Sequence, residues 1–416
     1  MEIWLWPRGR MKRRGKEVWD KKSVPIEALG ERHDSMARKH RTSWSYGLWI
    51  VAAMPILASC LVPACALGAQ ARWEEVLRAA EREGEVTVYA TNSVGDLPVI
   101  WEAFRKKFPK IKLNAVPIST TSEIVTKIMA ERRASLFLVD VVLGAPGATY
   151  NSFHRGKVLD PFPPALVLPE VTDLSKWWKG RHRYVDPEGQ YVFVYQSSLY
   201  GPPVYHNTKM VSLESIRSVW DLLDPKWKGK MISLWPRANY VSTALLFMYH
   251  HPQIGPKFLE RFYGDMELTY FSDFRQGTDW LAAGKYPLCF LCRLRRAMEQ
   301  GLPVAEVSPY HFKEAPGIGS NNGAIALMNS QPHPNAARVF INWYLSRDGQ
   351  IAFRQANNTV EDETTTSLRE DLPLSVVPEA VRRRKDVDYI EISRHDWMEW
   401  KPVGDLINAA RQKSGK

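Results

Sequence analysis

Strands and helices alternate early in the sequence, and this alternation constrains the fold more than any other feature. The runs Val86–Ala90 and Ile111–Val116 have the composition of β-strands. Between and after them, Leu97–Phe108 and Ser122–Arg133 carry apolar residues at helical spacing. The next run, Leu136–Leu143, is almost wholly apolar, as in a central parallel strand that is buried on both faces. A β-α-β-α-β order predicts an open α/β sheet with helices on both sides.

Residues 36–71 have the pattern of a secretory signal peptide. Met36 is followed by a basic cluster, an apolar run from Tyr46 to Val62, and Ala69-Gln70-Ala71, a small-x-small sequence typical of a cleavage site. We predict cleavage after Ala71. An uncleaved membrane anchor is the alternative, but prolines interrupt the run and it is shorter than the ~20 apolar residues of a membrane span.

Two other N-terminal features have competing explanations. Leu57–Cys60 resembles a lipobox, which would place a lipid-modified Cys60 at the mature terminus, but the apolar Leu61–Leu67 that follows is unlike an exposed tether. Residues 1–35 are basic. We interpret Met36 as the true start of translation and residues 1–35 as an upstream extension that was assigned to the protein in error. A nucleic-acid-binding arm is the alternative for such a basic block, and export argues against it.

The high positive charge of the chain comes partly from this leader. Residues 1–71 hold 12 of the 56 Lys and Arg and 6 of the 45 Asp and Glu, so the formal charge of +11 falls to +5 without them. This weak surplus favours anionic small ligands or an acidic partner. The remaining chain is longer than one compact core usually holds, which predicts two lobes. We assign residues 72–200 to the first part of lobe 1, 201–307 to lobe 2, and 308–416 to the return of lobe 1 with C-terminal helices.

Two long motifs carry a family resemblance. The first is Val204–Lys209, "VYHNTK", followed by Trp220–Lys230, "WDLLDPKWKGK". The second is Pro332–Ala337, "PHPNAA", continuing into Trp343–Gln350, "WYLSRDGQ". In this order they resemble the bacterial extracellular solute-binding proteins of the ferric-iron-binding type, over roughly Glu85–Phe353.

This resemblance implies an α/β chain with a two-lobed, type II periplasmic-binding-protein-like fold and a ligand cleft between the lobes. It further implies a monomeric periplasmic protein that captures a small solute and delivers it to the permease subunits of an ABC transporter in the inner membrane. Neither a cofactor nor a nucleic-acid partner is expected. A periplasmic sensor that presents its ligand to a membrane receptor is the alternative.

The resemblance also places candidate ligand-binding residues in the loops that would face the cleft. In open α/β sheets, ligands bind beyond the carboxyl ends of the strands. In lobe 1 these ends are Thr91, Asn92 and Ser93, and Gly144 and Ala145. In lobe 2 the strand-to-helix loop carries Arg237, Asn239 and Ser242, and helix amides with a forked arginine suit an anion. The alternative is that these are ordinary turn residues and a solvated arginine.

At the iron site itself the sequence departs from the family. Iron-binding members present an adjacent pair of tyrosines where this chain has Leu294 and Arg295. Arg293 and Arg295 share a face if the segment is extended, and we expect them to favour an anion over a cation. Arg275 and Gln276 are further candidates of the same type, and solvated arginines remain the alternative. We predict no metal site, with ferric-iron binding through other oxygen ligands as the competing hypothesis.

Cys289 and Cys292 are the only cysteines beyond the leader, because Cys60 and Cys65 fall within it. A disulfide and half of a metal site are both possible for this spacing, but no second ligand pair at zinc-binding spacing is present. We favour two small hydrophobic residues on a buried strand.

The sequence also argues against catalysis. No G-x-S-x-G elbow, H-E-x-x-H helix or P-loop follows the leader. We therefore predict a binding protein, not an enzyme.

Overall fold

The protein is described by a computed structural model that covers residues 55–91, 97–237, 242–320, 322–357 and 365–413. Residues from Leu57 onward form one compact unit. Most of the predicted leader, Asn92, Ser93 and Asn239 lie outside the described residues.

Helices and strands are mixed along the chain. The α-helices are α1 Pro55–Glu83, α2 Leu97–Lys107, α3 Thr121–Arg133, α4 Pro146–Ala148, α5 Pro169–Thr172, α6 Ser242–His250, α7 Gly255–Asp265, α8 Phe274–Ala282, α9 Arg295–Glu299, α10 Pro334–Leu345, α11 Arg347–Asn357 and α12 Lys401–Lys413. The strands are β1 Glu85–Thr91, β2 Lys112–Ile118, β3 Val141–Gly144, β4 Arg183–Tyr184, β5 Val192–Val194, β6 Gln196–Tyr200, β7 Val204–Asn207, β8 Met231–Leu234, β9 Thr269–Phe271, β10 Leu288–Phe290, β11 Val304–Glu306, β12 Gly317–Gly319, β13 Ala324–Leu327, β14 Thr365–Ser367 and β15 Ile390–Glu391.

The first sheet has the order β2-β1-β3-β13-β5-β4. Strands β2, β1 and β3 are parallel, and β13 returns antiparallel to β3. Because these three strands are parallel, their carboxyl ends and the loops that follow lie at the same edge of the sheet. The predicted α/β alternation is confirmed.

The second sheet has the order β11-β7-β10-β8-β9. Strands β10, β8 and β9 are parallel, whereas β7 and β11 run antiparallel to their neighbours. The first and second sheets each pack against their own hydrophobic core, and the two cores are separate clusters of buried side chains. We call these the first and second cores and the surrounding structures the first and second lobes.

A third, four-stranded sheet lies where the chain passes between the lobes, in the order β14-β6-β12-β15. Strand β6 joins β5 of the first sheet to β7 of the second, and β12 leads from β11 back to β13. Gly317 in β12 has no room for a side chain, since a Cβ there would lie 2.6 Å from the Phe247 ring of the second lobe. The passage between lobes is therefore tightly packed.

The C-terminal segment makes a third passage. Strand β15 pairs with β12, and the chain then continues into α12, whose Val403, Ile407 and Ala410 are buried in the second core against α7. The last helix thus completes the second lobe, although we had grouped residues 308–416 with the return of the first.

Helix α1 runs through the predicted cleavage site. Its packed part begins just beyond Ala71: Trp73 lies edge-on to Phe108, with ring centroids 6.4 Å apart, and Val76 and Ala80 are buried in the first core. Arg72 is exposed. Among the described residues, no helix combines the length and apolar character needed to cross a bilayer.

Two local expectations are wrong. Leu136, Phe137 and Leu138 are exposed, because the chain turns back at Ser135, with a φ of 58°, and only Val141–Gly144 forms the strand. Cys289 and Cys292 are buried, as predicted, but they form a disulfide. Their Cα atoms are 6.1 Å apart, a normal separation for a bridge.

Candidate ligand-binding cleft

A cavity of about 750 Å³ lies between the two lobes. Side chains from both lobes and from the passages between them line it. The first lobe contributes Ser119, Thr120, Thr121, Ser122, Ala145, Pro146, Gly147, Ala148 and Asn151; the passages contribute Ser320, Asn322, Ile392, Ser393, Trp397 and Met398; the second lobe contributes Thr243, Leu246, Phe247 and Arg293.

The wall from the first lobe is made of two loops that are tied to each other. The Thr121 hydroxyl oxygen accepts a hydrogen bond from the Ala145 amide at 2.8 Å, and Thr120 caps α3 by accepting from the Glu123 amide at 3.2 Å. Gly144 is required here because a Cβ would lie 2.8 Å from the Thr121 hydroxyl. The result is a hydroxyl-rich surface at the positive end of the 13-residue helix α3.

The wall from the second lobe includes the first turns of α6. Thr243 lies in the first turn, with Leu246 and Phe247 one turn further on. Leu246 and Phe247 make this wall largely apolar. Phe247 is buried and packs against Gly317, so α6 holds a fixed position relative to the passage β12.

Arg293 is the only charged residue among the described residues that line the cavity. Its peptide oxygen accepts a hydrogen bond from the Thr278 hydroxyl at 3.1 Å, and its guanidinium lies 4.9 Å from the centroid of the Phe274 ring. Cation–π contact of this kind restrains the side chain without removing its charge. The described part of the cleft is therefore positive, with neutral hydrogen-bonding groups around the charge.

The disulfide lies next to this arginine. Leu291, inside the Cys289–Cys292 ring, adopts a left-handed φ of 61°, and its amide donates to the Pro203 carbonyl at 2.9 Å. The chain therefore turns sharply at the end of β10. This turn directs Arg293 toward the cleft, while Leu294 is buried in the second core.

The structure distributes the predicted site residues as follows. Ala145 and Arg293 line the cleft, Gly144 is packed directly behind it, and Ser242 opens α6 beside it. Thr91 is 1% exposed at the end of β1, Arg237 is exposed and is not among the described residues that line the cleft, and Arg295 pairs with Glu299 at 3.0 Å. Asn92, Ser93 and Asn239 lie outside the described residues.

Two groups of lining residues escaped the sequence reasoning. The run Ser119–Ser122 lies between a strand and a helix start, which is a detectable signal for a ligand-facing loop. The C-terminal residues Ser393 and Trp397 carry no such signal, because tertiary contacts alone bring them to the cleft. Ser393 is held there by accepting a hydrogen bond from the Ser320 amide at 2.9 Å.

One group of metal-ligating side chains occurs elsewhere among the described residues. Donor atoms of His154, Asp186 and Glu188 lie within 4.8 Å of one another. However, Asp186 already accepts hydrogen bonds from the amides of Gln190, Tyr191 and Val192 at 2.7 to 3.0 Å. We interpret this group as a support for the loop between β4 and β5.

No family model matches the chain, and no curated protein matches it in sequence. Solved structures do match it. The IdiA (FutA) protein of Trichodesmium, in complex with iron and citrate, is 16% identical with a TM-score of 0.58, covering 80% of this chain and 100% of that one. A Bordetella ferric binding protein is 18% identical with a TM-score of 0.56, covering 78% and 98%. The spermidine/putrescine substrate-binding protein PotD of Streptococcus pneumoniae is 14% identical with a TM-score of 0.53, covering 79% and 99%.

The chain therefore has the two-lobed α/β fold of the substrate-binding proteins of ABC transporters, with its cavity between the lobes. This confirms the fold class that the sequence motifs predict.

Proposed function

We propose that the protein is the periplasmic solute-binding component of an ABC importer and that it captures a small anionic solute in the cleft. The observation that carries this proposal is Arg293, the one charged side chain among the described residues that line the cavity. Guanidinium groups bind oxyanions through charge-assisted hydrogen bonds. No cofactor is needed for this role.

The surrounding groups support the same ligand chemistry. Hydroxyls of Thr120, Ser122 and Thr243 and the amides at the start of α3 supply neutral donors around the charge. Leu246, Phe247 and Trp397 supply apolar surface for the uncharged part of a solute.

The connection between the lobes suggests how the cleft would close around the solute. Three short passages, through β6, β12 and the segment after β15, join the lobes on one side of the cleft. Rotation about such passages would bring Arg293 closer to the first-lobe loops, and a ligand that touches both walls favours the closed population. In this proposal the protein is a monomer, and its closed form delivers the solute to the membrane permease.

The proposal is tested by identifying the solute and removing the charge. Native mass spectrometry of protein purified from its own periplasm should reveal a retained anionic ligand, and N-terminal sequencing of the same sample should begin at Arg72. A charge-assisted hydrogen bond contributes ~1.5 to 3 kcal/mol. Arg293→Ala should therefore weaken calorimetric binding of that ligand by roughly ten- to a hundredfold.

The matched control is Arg261→Ala, which removes an exposed arginine of α7 that pairs with Asp265. It should leave binding unchanged. A retained cation or neutral solute, or full binding by Arg293→Ala, would contradict the proposal.

A further inference from the structure

A second cavity, of about 620 Å³, lies in the second lobe between α8 and α9. We call it the arginine groove. It is lined by four arginines, Arg275, Arg293, Arg295 and Arg296, and by two acidic residues, Asp279 and Glu299. Among the described residues that line this concave surface, guanidinium groups outnumber carboxylates by four to two.

The arginines lie on both walls of the groove. Glu299 pairs with Arg295 at 3.0 Å, on the same side of α9. Arg275 lies across the groove in the first turn of α8, and its side chain and that of Arg296 are exposed. Guanidinium groups therefore lie on both walls and can contact an anion from two directions.

The groove and the cleft share one described lining residue. Arg293 lines both cavities, and the Phe274 ring beneath its guanidinium belongs to the groove. One side chain thus stands at the junction of the two spaces, with hydroxyl groups on the cleft side and further arginines on the groove side.

We propose that the groove binds a second anionic group of the same solute. The solute class is then an elongated molecule with two oxyanionic groups of the phosphate or carboxylate type, one in the cleft and one in the groove, with Arg293 between them. This inference rests on the proposed function, because it takes the cleft as the primary site.

The test compares a short and a long oxyanion, inorganic phosphate and tripolyphosphate, by calorimetric titration at fixed ionic strength. Native protein should bind tripolyphosphate at least tenfold more tightly than phosphate. The double variant Arg275→Ala/Arg296→Ala should lose most of that difference while its phosphate affinity stays the same. Both side chains are exposed, so thermal unfolding of the variant should match that of the native protein.

The matched control removes two exposed positive charges from α7 of the same lobe, as Lys257→Ala/Arg261→Ala. If this control lowers tripolyphosphate affinity as much as the groove variant does, the effect is net charge and the groove proposal is wrong. Equal affinity of native protein for the two probes also overturns it. Arg293→Ala and the groove variant together separate the two proposals. A loss of phosphate binding in Arg293→Ala that the groove variant does not share supports the cleft, and a loss in both variants places phosphate in the groove and overturns the groove's role as a second site. Unchanged phosphate binding in Arg293→Ala contradicts the cleft.

Discussion

Trp397 stacks on His250, with ring centroids 5.1 Å apart and an angle of 15° between the rings. This contact joins the segment after β15 to the last residue of α6, whose opposite end faces the cleft. Trp397 also lines the cleft and is 8% exposed. One side chain therefore contributes both to the second core and to the ligand site.

We expect Trp397→Ala to lower the free energy of unfolding by ~3 to 5 kcal/mol, because it leaves a large cavity in the second core. Trp397→Phe keeps an aromatic ring over His250 and should lose less. Urea unfolding followed by circular dichroism measures both. An alanine variant as stable as the native protein would show that the stacked ring adds nothing to the core.

His251 should make stability depend on pH. Its Nε2–H donates to the Ala315 carbonyl at 2.8 Å and its Nδ1 accepts from the Gln253 amide at 3.0 Å, so the neutral ring satisfies both partners. Burial lowers the pKa of His251 below its ordinary value. Between the lowered pKa and ~6.5 the unfolded state binds more protons, and stability falls as pH decreases through that window.

The matched variant is His251→Gln, whose amide can donate to Ala315 and accept from Gln253 without titrating. Between pH 7.5 and 5.5 we expect the unfolding free energy of this variant to fall less than that of the native protein. The difference between the two slopes should be up to ~1.4 kcal/mol per pH unit. Burial also lowers the pKa of His182, His206 and His250, so some pH dependence should persist. An unchanged slope in the variant would assign the whole effect to those three residues.

Ferric iron should bind poorly. The described residues that line the cleft include no aspartate, glutamate or tyrosine, and Leu294, at the position of a family tyrosine, is buried in the second core. Fe(III) prefers oxygen ligands of that kind, and Arg293 repels a cation. Adding ferric citrate should give no visible phenolate-to-iron absorption. A coloured complex would contradict this, and its loss in Tyr240→Phe would identify the ligand.

Removing the disulfide should affect both stability and binding. The double variant Cys289→Ser/Cys292→Ser opens a four-residue ring, which in the chain-entropy model costs about 2 kcal/mol of unfolding free energy. Because the ring lies one residue before Arg293, the variant should also bind the retained solute more weakly. Alkylation of both cysteines in unreduced, denatured native protein would show that the bridge is absent.

Local patterns predicted the scaffold well. The strand at Val86–Ala90 and the helix at Ser122–Arg133 agree with the structure to within one residue at each end, since both have clear periodicity and clear boundaries. The prediction of a buried strand that includes Leu136–Leu138 was wrong because hydrophobic composition does not report exposure. There the chain reverses after α3, and the Arg132 guanidinium lies 5.2 Å from the Phe137 ring.

The site was harder to predict because it depends on backbone direction. Arg293 and Arg295 would share a face only in extended chain, but α9 begins at Arg295. Both side chains line the groove, and of the two only Arg293 also lines the cleft. The disulfide has the same explanation, since only the left-handed turn at Leu291 brings the two sulfur atoms together. Ser393 and Trp397 reach the cleft through contacts with residues far away in sequence, which no local pattern reports.

The position of α12 has a consequence for how the protein is made. Residues 401–413 leave the ribosome after every strand of the second core, yet Val403, Ile407 and Ala410 are buried in that core. The strands of that core are complete nearly a hundred residues earlier, at β11. Until α12 has been made, the second lobe lacks part of its hydrophobic surface and cannot reach full stability. A chain built in this way stays incompletely folded until α12 is made, and the export that we propose for it requires an incompletely folded chain.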